Sequence, residues 1–306
     1  MTLTFRKATV DDAPLLGTIC YEAFKNIAEK HNFPTDFGSP EQAVGLMTML
    51  LSRPDAYNIA AEIDGKLVAS NFLWEGNSVS AVGPITVDPE VQDSSIGRKL
   101  MEDAIRRSDE QGFLSCRLVQ SAYHNRSLSL YTKLGFDAVE PISLMQGPPL
   151  NVRIDGYNAR KMTNDDVAAV DALCLQIHGH ARHQEAVESV AGGNGYVVEH
   201  DGRITGYTTT LGFFGHSVGG SNEDLKALIG AVPVYAGAGF LLPTRNGELL
   251  RWCLAHGLRI VQPMTLMSRG IYQNPRGAFL PSILYCLRIA SKSLSFSGRH
   301  RTGGGE

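Results

Sequence analysis

Two segments of the chain, far apart in the sequence, carry the same pattern of residues. Residues 5–20 read FRKATVDDAPLLGTIC, and residues 159–174 read ARKMTNDDVAAVDALC. In each segment a threonine, Thr9 or Thr163, is followed three residues later by an aspartate, which is a sequence signature of a capped helix N-terminus. Each segment therefore predicts a strand, a cap and a helix. A chain that repeats these opening elements is expected to fold as two related halves.

The repeat continues into a predicted β-hairpin. Residues 58–72 and residues 195–209 are both strand-like runs, each interrupted by an Asp-Gly pair that begins at Asp64 or at Asp201. An Asp-Gly pair between two such runs is typical of a two-residue hairpin turn of type I′. The two halves are thus predicted to share their first helix and their first hairpin.

The boundary between the halves is predicted in the proline-containing stretch QGPPLN, residues 146–151. We expect a first domain at residues 1–147 and a second at residues 152–290. Residues 291–306 are polar and rich in glycine, which predicts a flexible tail. The length of 306 residues suits two domains of the usual size, about 100–200 residues each.

Composition excludes several classes of protein. The net charge is −3 and charged residues make up 19% of the chain, so neither nucleic acid nor an anionic membrane is indicated as a partner. The five cysteines are scattered and form no CxxC pair, which argues against a disulfide framework or a zinc site. The chain has neither a signal-peptide core nor an unbroken apolar run long enough to cross a membrane, so we expect a cytoplasmic protein.

The histidine-rich run HGHARH, residues 178–183, was considered as a metal site. Its histidine spacings of two and three do not suit one helix face, and no carboxylate pattern accompanies them. The sequence favours a solvated turn there, and we predict no metal.

Residues 78–136 contain the elements that predict a ligand-binding site. Residues 78–90 are rich in β-branched residues and predict one buried strand that ends in a turn at Asp88. A short polar loop follows at residues 92–97, and then a helix at residues 98–112. Free backbone amides at a helix N-terminus bind anions, because the unpaired N–H groups and the positive end of the helix dipole both favour negative charge. The expected ligand of this loop is a pyrophosphate.

A second motif, SLYTKLGF at residues 129–136, places Tyr131 on a short helix that ends at Gly135. With the loop, it resembles the acetyl-CoA-binding core of the GNAT N-acetyltransferase superfamily. The superfamily loop reads Gln or Arg, two residues, Gly, one residue, then Gly or Ala. Here Gln92 and Gly97 fill the first and last of these places, and Ser95 stands where the motif has its first glycine. The resemblance implies an α/β (α+β) fold of two GNAT-type domains, each with a mixed, mostly antiparallel sheet flanked by helices.

The resemblance also implies an activity. It is acetyl-CoA-dependent N-acetylation, in which a primary amine of a small molecule or peptide attacks the thioester directly within a ternary complex. Tyr131 stands at the place of the family's general acid, which protonates the departing thiolate. The residues implied to bind acetyl-CoA are Ile85, Thr86, Val87, Gln92, Asp93, Ser94, Ser95, Ile96, Gly97, Arg98, Asn125 and Ser127.

Two residues are candidates for the general base. His124 occupies the place of a family asparagine that touches the pantetheine, with Asn125 one residue later, and an imidazole can accept a proton near neutral pH. Glu75 ends the preceding predicted strand and can act through water. For both residues the alternative is an ordinary surface role.

The acceptor is expected to meet residues 21–57. Phe24, Phe33 and Phe37, with Tyr21, would line a pocket there or would pack two helices on the sheet, and Glu22 or Asp36 would meet an ammonium group. The sequence does not identify the acceptor, and it does not distinguish a monomer from a homodimer.

In the second half, residues 240–257 were matched to the phosphate loop and its helix, with a shortened loop and no tyrosine motif. We therefore expect a degenerate GNAT-like half that binds no CoA and instead supports the first half, shapes the acceptor cleft or mediates dimerisation. A non-catalytic acyl-CoA sensor or interaction module remains the alternative function.

Overall fold

The computed structural model describes residues 2–54, 56–76, 78–92 and 95–283. Two predicted cofactor-binding residues, Asp93 and Ser94, and the predicted tail lie outside the described residues. Within the described ranges, no helix combines the length and the apolar composition needed to cross a membrane.

The first half contains seven strands and four helices among the described residues. The strands are β1 (Leu3–Arg6), β2 (Ala56–Ile63), β3 (Lys66–Glu75), β4 (Val79–Val82), β5 (Thr86–Val87), β6 (Ser115–Ser121) and β7 (Asp137–Gln146). The helices are α1 (Ala13–Lys30), α2 (Pro40–Leu51), α3 (Ile96–Glu110) and α4 (Asn125–Lys133).

The described part of the second half has a similar order of elements, without a counterpart of β5 before its third helix and with an additional strand at its end. Its strands are β8 (Asn158–Lys161), β9 (Tyr196–His200), β10 (Arg203–Thr208), β11 (Ser217–Gly219), β12 (Phe240–Pro243), β13 (Arg259–Gly270) and β14 (Ala278–Leu280). Its helices are α5 (Val167–His178), α6 (His183–Ala191), α7 (Asn222–Ala231) and α8 (Gly247–Ala255).

The predicted repeat of the helix caps is confirmed. The amide of Thr9 donates to the Asp12 carboxylate at 2.8 Å, and the amide of Thr163 donates to Asp166 at the same distance. In both copies the threonine side chain also accepts a hydrogen bond from the backbone amide of the aspartate. The two bonds together form a capping box at the start of the first helical segment.

Both halves also contain the same ion-pair network, which was not predicted from the sequence. Arg6 reaches both the capping aspartate, at 2.8 Å, and Glu62 of β2, at 2.7 Å. Arg160 reaches the second capping aspartate and Glu199 of β9, each at 2.7 Å. One arginine thus ties the first strand, the cap and the second strand together in each half.

The predicted hairpin turns are also present. Asp64 and Gly65 have φ angles of 49° and 81°, and Asp201 and Gly202 have φ angles of 50° and 72°. Positive φ at both central residues is what a type I′ turn requires. The expected fold class, mixed and mostly antiparallel sheets flanked by helices, is confirmed.

The sheets do not separate at the predicted domain boundary. The main sheet has the strand order β1-β2-β3-β4-β6-β13-β7-β12, with β5 paired to β3, and a second sheet has the order β14-β11-β10-β9-β8. Strand β13 of the second half inserts between β6 and β7 of the first half, and β7 lies between β13 and β12. Each half therefore places one strand inside the other, so residues 147–152 divide two sequence repeats and not two independent sheets.

Residues 78–90 do not form the single strand that was predicted. Strand β4 runs parallel to β6 only as far as the pair Ala81 and Arg117. Beyond that point the chain leaves β6, and β5 pairs with β3 on the opposite side, with Thr86 facing Ser70. Strand β6 meanwhile continues to Ser121 along β13. The sheet consequently opens into a gap between residues 83–87 and the end of β6.

Ser95, the residue that replaces the usual glycine of the loop, is the N-cap of α3. Its φ and ψ angles are 61° and 6°, in the left-handed region. A side chain in this region costs roughly 1–2 kcal/mol relative to the right-handed one. Ser95 therefore adopts a backbone conformation that a glycine would adopt without strain.

We expect Ser95→Gly to stabilise the protein by about 0.5–1 kcal/mol, because relief of the left-handed strain exceeds the extra entropy of an unfolded glycine. Urea denaturation measures the free energy of unfolding. The matched control is Ser39→Gly at the N-cap of α2, where φ is −161° and no strain exists. That variant should lose a few tenths of a kcal/mol. Equal losses in the two variants would contradict the strain at Ser95.

Candidate active site

A cavity of about 940 Å³ occupies the gap in the main sheet. Five parts of the chain line it: the segment from Val82 to Val87, the N-terminus of α3, the end of β6 with the start of α4, the facing ends of α1 and α2, and loops of the second half. The region of the two sequence motifs therefore opens onto one space.

The N-terminus of α3 forms the floor at one end of this cavity. Ser95, Ile96, Gly97 and Arg98 all line it, and the first amides of a helix have no intrahelical acceptor. A Cβ atom added at Gly97 would meet only the Val87 Cγ2 atom, at 3.7 Å, so space remains above the amides. The arrangement fits a pyrophosphate, held by backbone N–H groups and the helix dipole.

The strand segment beside this floor presents a free edge. Ile85, Thr86 and Val87 line the cavity, and among the described strands β5 pairs only with β3. The side chain of Gln92 also lines the cavity and donates to the Val87 carbonyl at 3.3 Å. An extended ligand chain can therefore bond to backbone groups along the gap.

Tyr131 lies in the same cavity, on the second turn of α4, and the residue is only 7% exposed. Burial raises the pKa of its phenol, and the hydroxyl of Ser127, one helical turn earlier, opposes that rise. The phenol consequently keeps its proton at neutral pH and can donate it into the cavity.

His124 and Asn125 begin the same helix, and both line the cavity. The Nδ1 atom of His124 lies 2.8 Å from the Ser127 Oγ atom. Burial, together with the charges of Arg126, His31 and Lys30, lowers the pKa of His124 to about 4. The imidazole is therefore neutral at pH 7, and Ser127 connects it to Tyr131.

The position of Glu75 does not support its predicted role as base. Its carboxylate accepts from the Arg107 guanidinium at 2.6 and 3.2 Å, at the end of β3. It is not among the described residues that line the cavity. The carboxylate is bound by Arg107 of α3 and lies outside the cavity lining, so we do not assign Glu75 a catalytic role.

The predicted acceptor segment divides between the cavity and the core. Phe24, Phe37 and Asp36 line the cavity, and the two phenyl rings meet edge to face at 5.8 Å. Tyr21 packs on the hydrophobic core, and Phe33 stacks on the ring of Tyr123 at 4.2 Å. Of the two suggested carboxylates, Asp36 reaches the cavity, and Glu22 is absent from the lining that the described residues form.

One wall of the cavity comes from the second half and was not predicted from the sequence. It consists of Phe213, Phe214, Gly237, Ala238, Met264 and Ile283. The loop with the two phenylalanines is fixed by a tight backbone approach, since a Cβ atom at Gly212 would lie 2.4 Å from the Ala236 carbonyl oxygen. The only sequence signal was the pair of adjacent phenylalanines.

The second half has a different phosphate-loop counterpart from the one matched in the sequence. Strand and helix order pairs α7 with α3, and α8, at residues 247–255, with α4. The amide and hydroxyl of Ser221, at the N-cap of α7, both donate to the buried Asp224 carboxylate at 2.9 Å. The end of α7 therefore carries its own anion. The expectation that the second half binds no CoA stays a prediction, and its structural support is this cap and not a shortened loop at residues 240–257.

The α8 helix also lacks the tyrosine of α4. Gly135 and Gly257, with φ of 89° and 84°, end the two helices in the same way. Counting back four residues gives Tyr131 in one half and Cys253 in the other. Burial raises the pKa of the Cys253 thiol to about 12, so this residue is a neutral core side chain.

The prediction of a solvated turn at residues 178–183 is wrong. His178 and Arg182 are 7% and 6% exposed, and Arg182 donates to Glu185 at 2.7 Å. The other Glu185 oxygen lies 3.1 Å from the Nδ1 atom of His216, which is also buried. The run is part of an internal polar cluster, because a carboxylate two residues beyond the run satisfies its arginine.

Comparison with known proteins gives two results. Residues 21–136 match the model of the acetyltransferase (GNAT) family. A comparison with curated protein sequences finds no match.

Among solved structures, a putative acetyltransferase from Pyrococcus horikoshii superposes with a TM-score of 0.66 at 18% identity, over 93% of this chain and 94% of that one. A GCN5-related N-acetyltransferase from Sphaerobacter thermophilus gives 0.60 at 15% identity, over 89% and 96%. A tandem GNAT protein from the clavulanic acid biosynthesis pathway gives 0.55 at 14% identity, over 88% and 98%. At these identities the likeness shows the fold. Residues 21–136, whose cavity joins the two motifs, therefore match the acetyltransferase (GNAT) family, and the chain as a whole shares its fold with a tandem GNAT protein.

Proposed function

We propose that the chain is an acetyl-CoA-dependent N-acyltransferase whose first half binds the cofactor and whose acceptor is a primary amine. The observation that carries the proposal is a single cavity that joins a helix N-terminus suited to pyrophosphate, a free strand edge and a buried tyrosine. Acyl transfer between a thioester and an amine needs a site for each of the two substrates and a proton donor for the leaving thiolate.

The cofactor is assigned to the gap beside β5. Backbone amides of Ser95, Ile96 and Gly97 would hold the pyrophosphate, and the segment 85–87 would bond the extended pantetheine arm. Arg98 and Arg126 add positive charge to the lining. When bound, acetyl-CoA supplies the activated acyl group. Every other step is assigned to side chains of this protein.

Tyr131 is assigned the role of general acid. As the neutral amine attacks the carbonyl carbon, the nitrogen–carbon bond forms and the carbon–sulfur bond breaks. The thiolate takes the phenolic proton, and the nitrogen releases one proton to the solvent, from which the phenolate is reprotonated. A buried neutral phenol is suited to this step, because it holds its proton until a stronger base forms beside it. Direct transfer to the amine needs no acyl-enzyme.

The phenol must then regain its proton. Ser127 connects Tyr131 to His124, whose ring lies at 2.8 Å from the serine hydroxyl. A neutral imidazole can accept a proton at one nitrogen and release one from the other. We assign His124 to this relay and not to the general base, since a pKa of about 4 makes it a weak base.

Gly97→Trp is expected to abolish acetyl-CoA binding, because the indole would fill the space above the α3 amides. Gly97→Ala is the matched control, since its Cβ atom would meet one methyl group at 3.7 Å. Calorimetric titration with acetyl-CoA measures both. Unchanged binding in Gly97→Trp would show that the cofactor lies elsewhere.

Tyr131→Phe is expected to lower kcat by about 100-fold or more, the usual contribution of a positioned acid. The acetyl-CoA affinity should change little, because the ring remains in place. Tyr157→Phe serves as control, since Tyr157 stacks on His200 in the second half, away from the cavity lining. Unchanged turnover in Tyr131→Phe would remove the general-acid role. Binding of acetyl-CoA without transfer to any amine would favour a non-catalytic sensor.

A further inference from the structure

The acceptor end of the cavity contains a carboxylate that lacks a partner of opposite charge. Asp36 lies in the loop between α1 and α2 and lines the cavity. Its Oδ1 atom accepts one long hydrogen bond, from the Gln262 amide at 3.4 Å, and its Oδ2 atom is buried with no hydrogen-bond partner. No ion pair to Asp36 is found within the described ranges. Burying a carboxylate without a counter-charge destabilises a fold, so such a group indicates an absent cation.

The groups around Asp36 do not supply that cation. Cys20 faces it from α1, and Tyr123 faces it from the turn after β6. Burial raises the pKa of each, with a smaller contribution from the Asp36 charge, so both are neutral at physiological pH. His31, at the end of α1, contacts the Tyr123 ring at 5.4 Å. Gln262 reaches Asp36 from β13 and also accepts from the Tyr123 hydroxyl at 3.2 Å.

Charge is distributed unevenly along the cavity. Asp36 is the only carboxylate in the lining that the described residues form, whereas Lys30, Arg98 and Arg126 also line it. Three cations suit the phosphates of the cofactor. One carboxylate suits one ammonium group. A polyamine would place its second ammonium against an uncharged wall or against these cations.

The wall near Asp36 is apolar. Phe24 and Phe37 come from the first half, and Phe213, Phe214 and Met264 come from the second. The rings of Phe213 and Phe214 meet edge to face at 5.5 Å, as those of Phe24 and Phe37 do at 5.8 Å. These five side chains suit hydrocarbon or aromatic surface of a ligand. The lining also contains Gln120, whose amide is buried without a hydrogen-bond partner and can meet one polar group of the ligand.

We propose that Asp36 binds the ammonium group of the acceptor, and that the acceptor is a small primary amine with one positive charge and an apolar aliphatic or aromatic body. The inference rests on the proposed function, since it names the substrate class of the same site. The exchanged strand β13 and the loop with Phe213 make the second half part of the acceptor pocket. This is the physical reason that a half without its own phosphate site is retained.

The proposal is tested by calorimetric titration of the full chain, saturated with CoA, with 2-phenylethylamine, putrescine, glucosamine and an alanine-terminated peptide. The wild-type protein should bind 2-phenylethylamine at least about 10-fold more tightly than the other three. Asp36→Asn should weaken 2-phenylethylamine binding roughly 30-fold or more, because the ammonium loses its counter-charge. Asp11→Asn, on an exposed turn before α1, is the control and should bind as the wild type does.

Equal affinity of Asp36→Asn and wild type for 2-phenylethylamine would overturn the proposal, as would preference for glucosamine, putrescine or the peptide, or no amine binding at all. A separate titration with acetyl-CoA keeps the proposed function distinguishable. Loss of amine binding with acetyl-CoA binding intact contradicts the assignment of Asp36 alone. Amine binding without acetyl-CoA binding contradicts the transferase.

Asp36→Asn should also change stability in a way that shows the variant folds. Burial raises the pKa of Asp36 to about 6, from an unfolded value near 3.8. The neutral form is thus favoured in the folded state, and wild-type stability from this group is lost as the pH rises from about 4 to 6. Thermal melts should therefore place Asp36→Asn above wild type at pH 8 and close to it at pH 4. A variant that melts lower at pH 8 would contradict the burial of an unpaired charge.

Discussion

The pairing of β6 with β13 is the interaction on which the site depends. One edge of β6 is hydrogen-bonded to the exchanged strand along its whole length, from Ser115 to Ser121. The other edge is paired with β4 only through Arg117. A strand with a fixed partner on one side can leave its other edge open without losing its place in the sheet. The gap that receives the ligand is therefore held open by a strand from the opposite half.

This arrangement explains the division of labour between the halves. In the second half Asp224 caps the N-terminus of α7, and Cys253 stands at the position that corresponds to Tyr131. Its β13 and the loop at Phe213 nevertheless border the cavity of the first half. The second half can contribute to the cavity of the first half without a phosphate site of its own. Its contribution needs only the backbone pairing of β13 and the apolar side chains that line the cavity.

Features built from neighbouring residues could be predicted from the sequence. The caps at Thr9 and Thr163, the Asp-Gly turns and the position of Tyr131 on its helix all follow from spacings of a few residues. Helix α3 begins at Ile96, two residues before its predicted start, so Gly97 lies on the helix and not in the loop. The strand exchange could not, because it pairs Ser121 with Met264, and no local pattern encodes the choice of a distant partner.

The wrong predictions have a common physical cause. Residues 78–90 have the composition of one strand, but β4 lies between β3 and β6, whereas β5 keeps β3 as its partner and leaves β6, so two short strands form. The run at residues 178–183 is polar, yet Glu185 and His216 satisfy it inside the protein. Glu75 was considered for catalysis without knowledge of Arg107, which binds it from a helix 32 residues later in the chain. In each case tertiary partners decided the outcome.

Hydrogen–deuterium exchange of the full chain, with and without acetyl-CoA, tests the central claim most directly. That claim is that the cofactor binds in the gap of the first half. The account predicts slower exchange at the first amides of α3 and at residues 83–87, and no change at the first amides of α7. Protection at α7, or unchanged exchange at α3 and residues 83–87 under saturating acetyl-CoA, would contradict it.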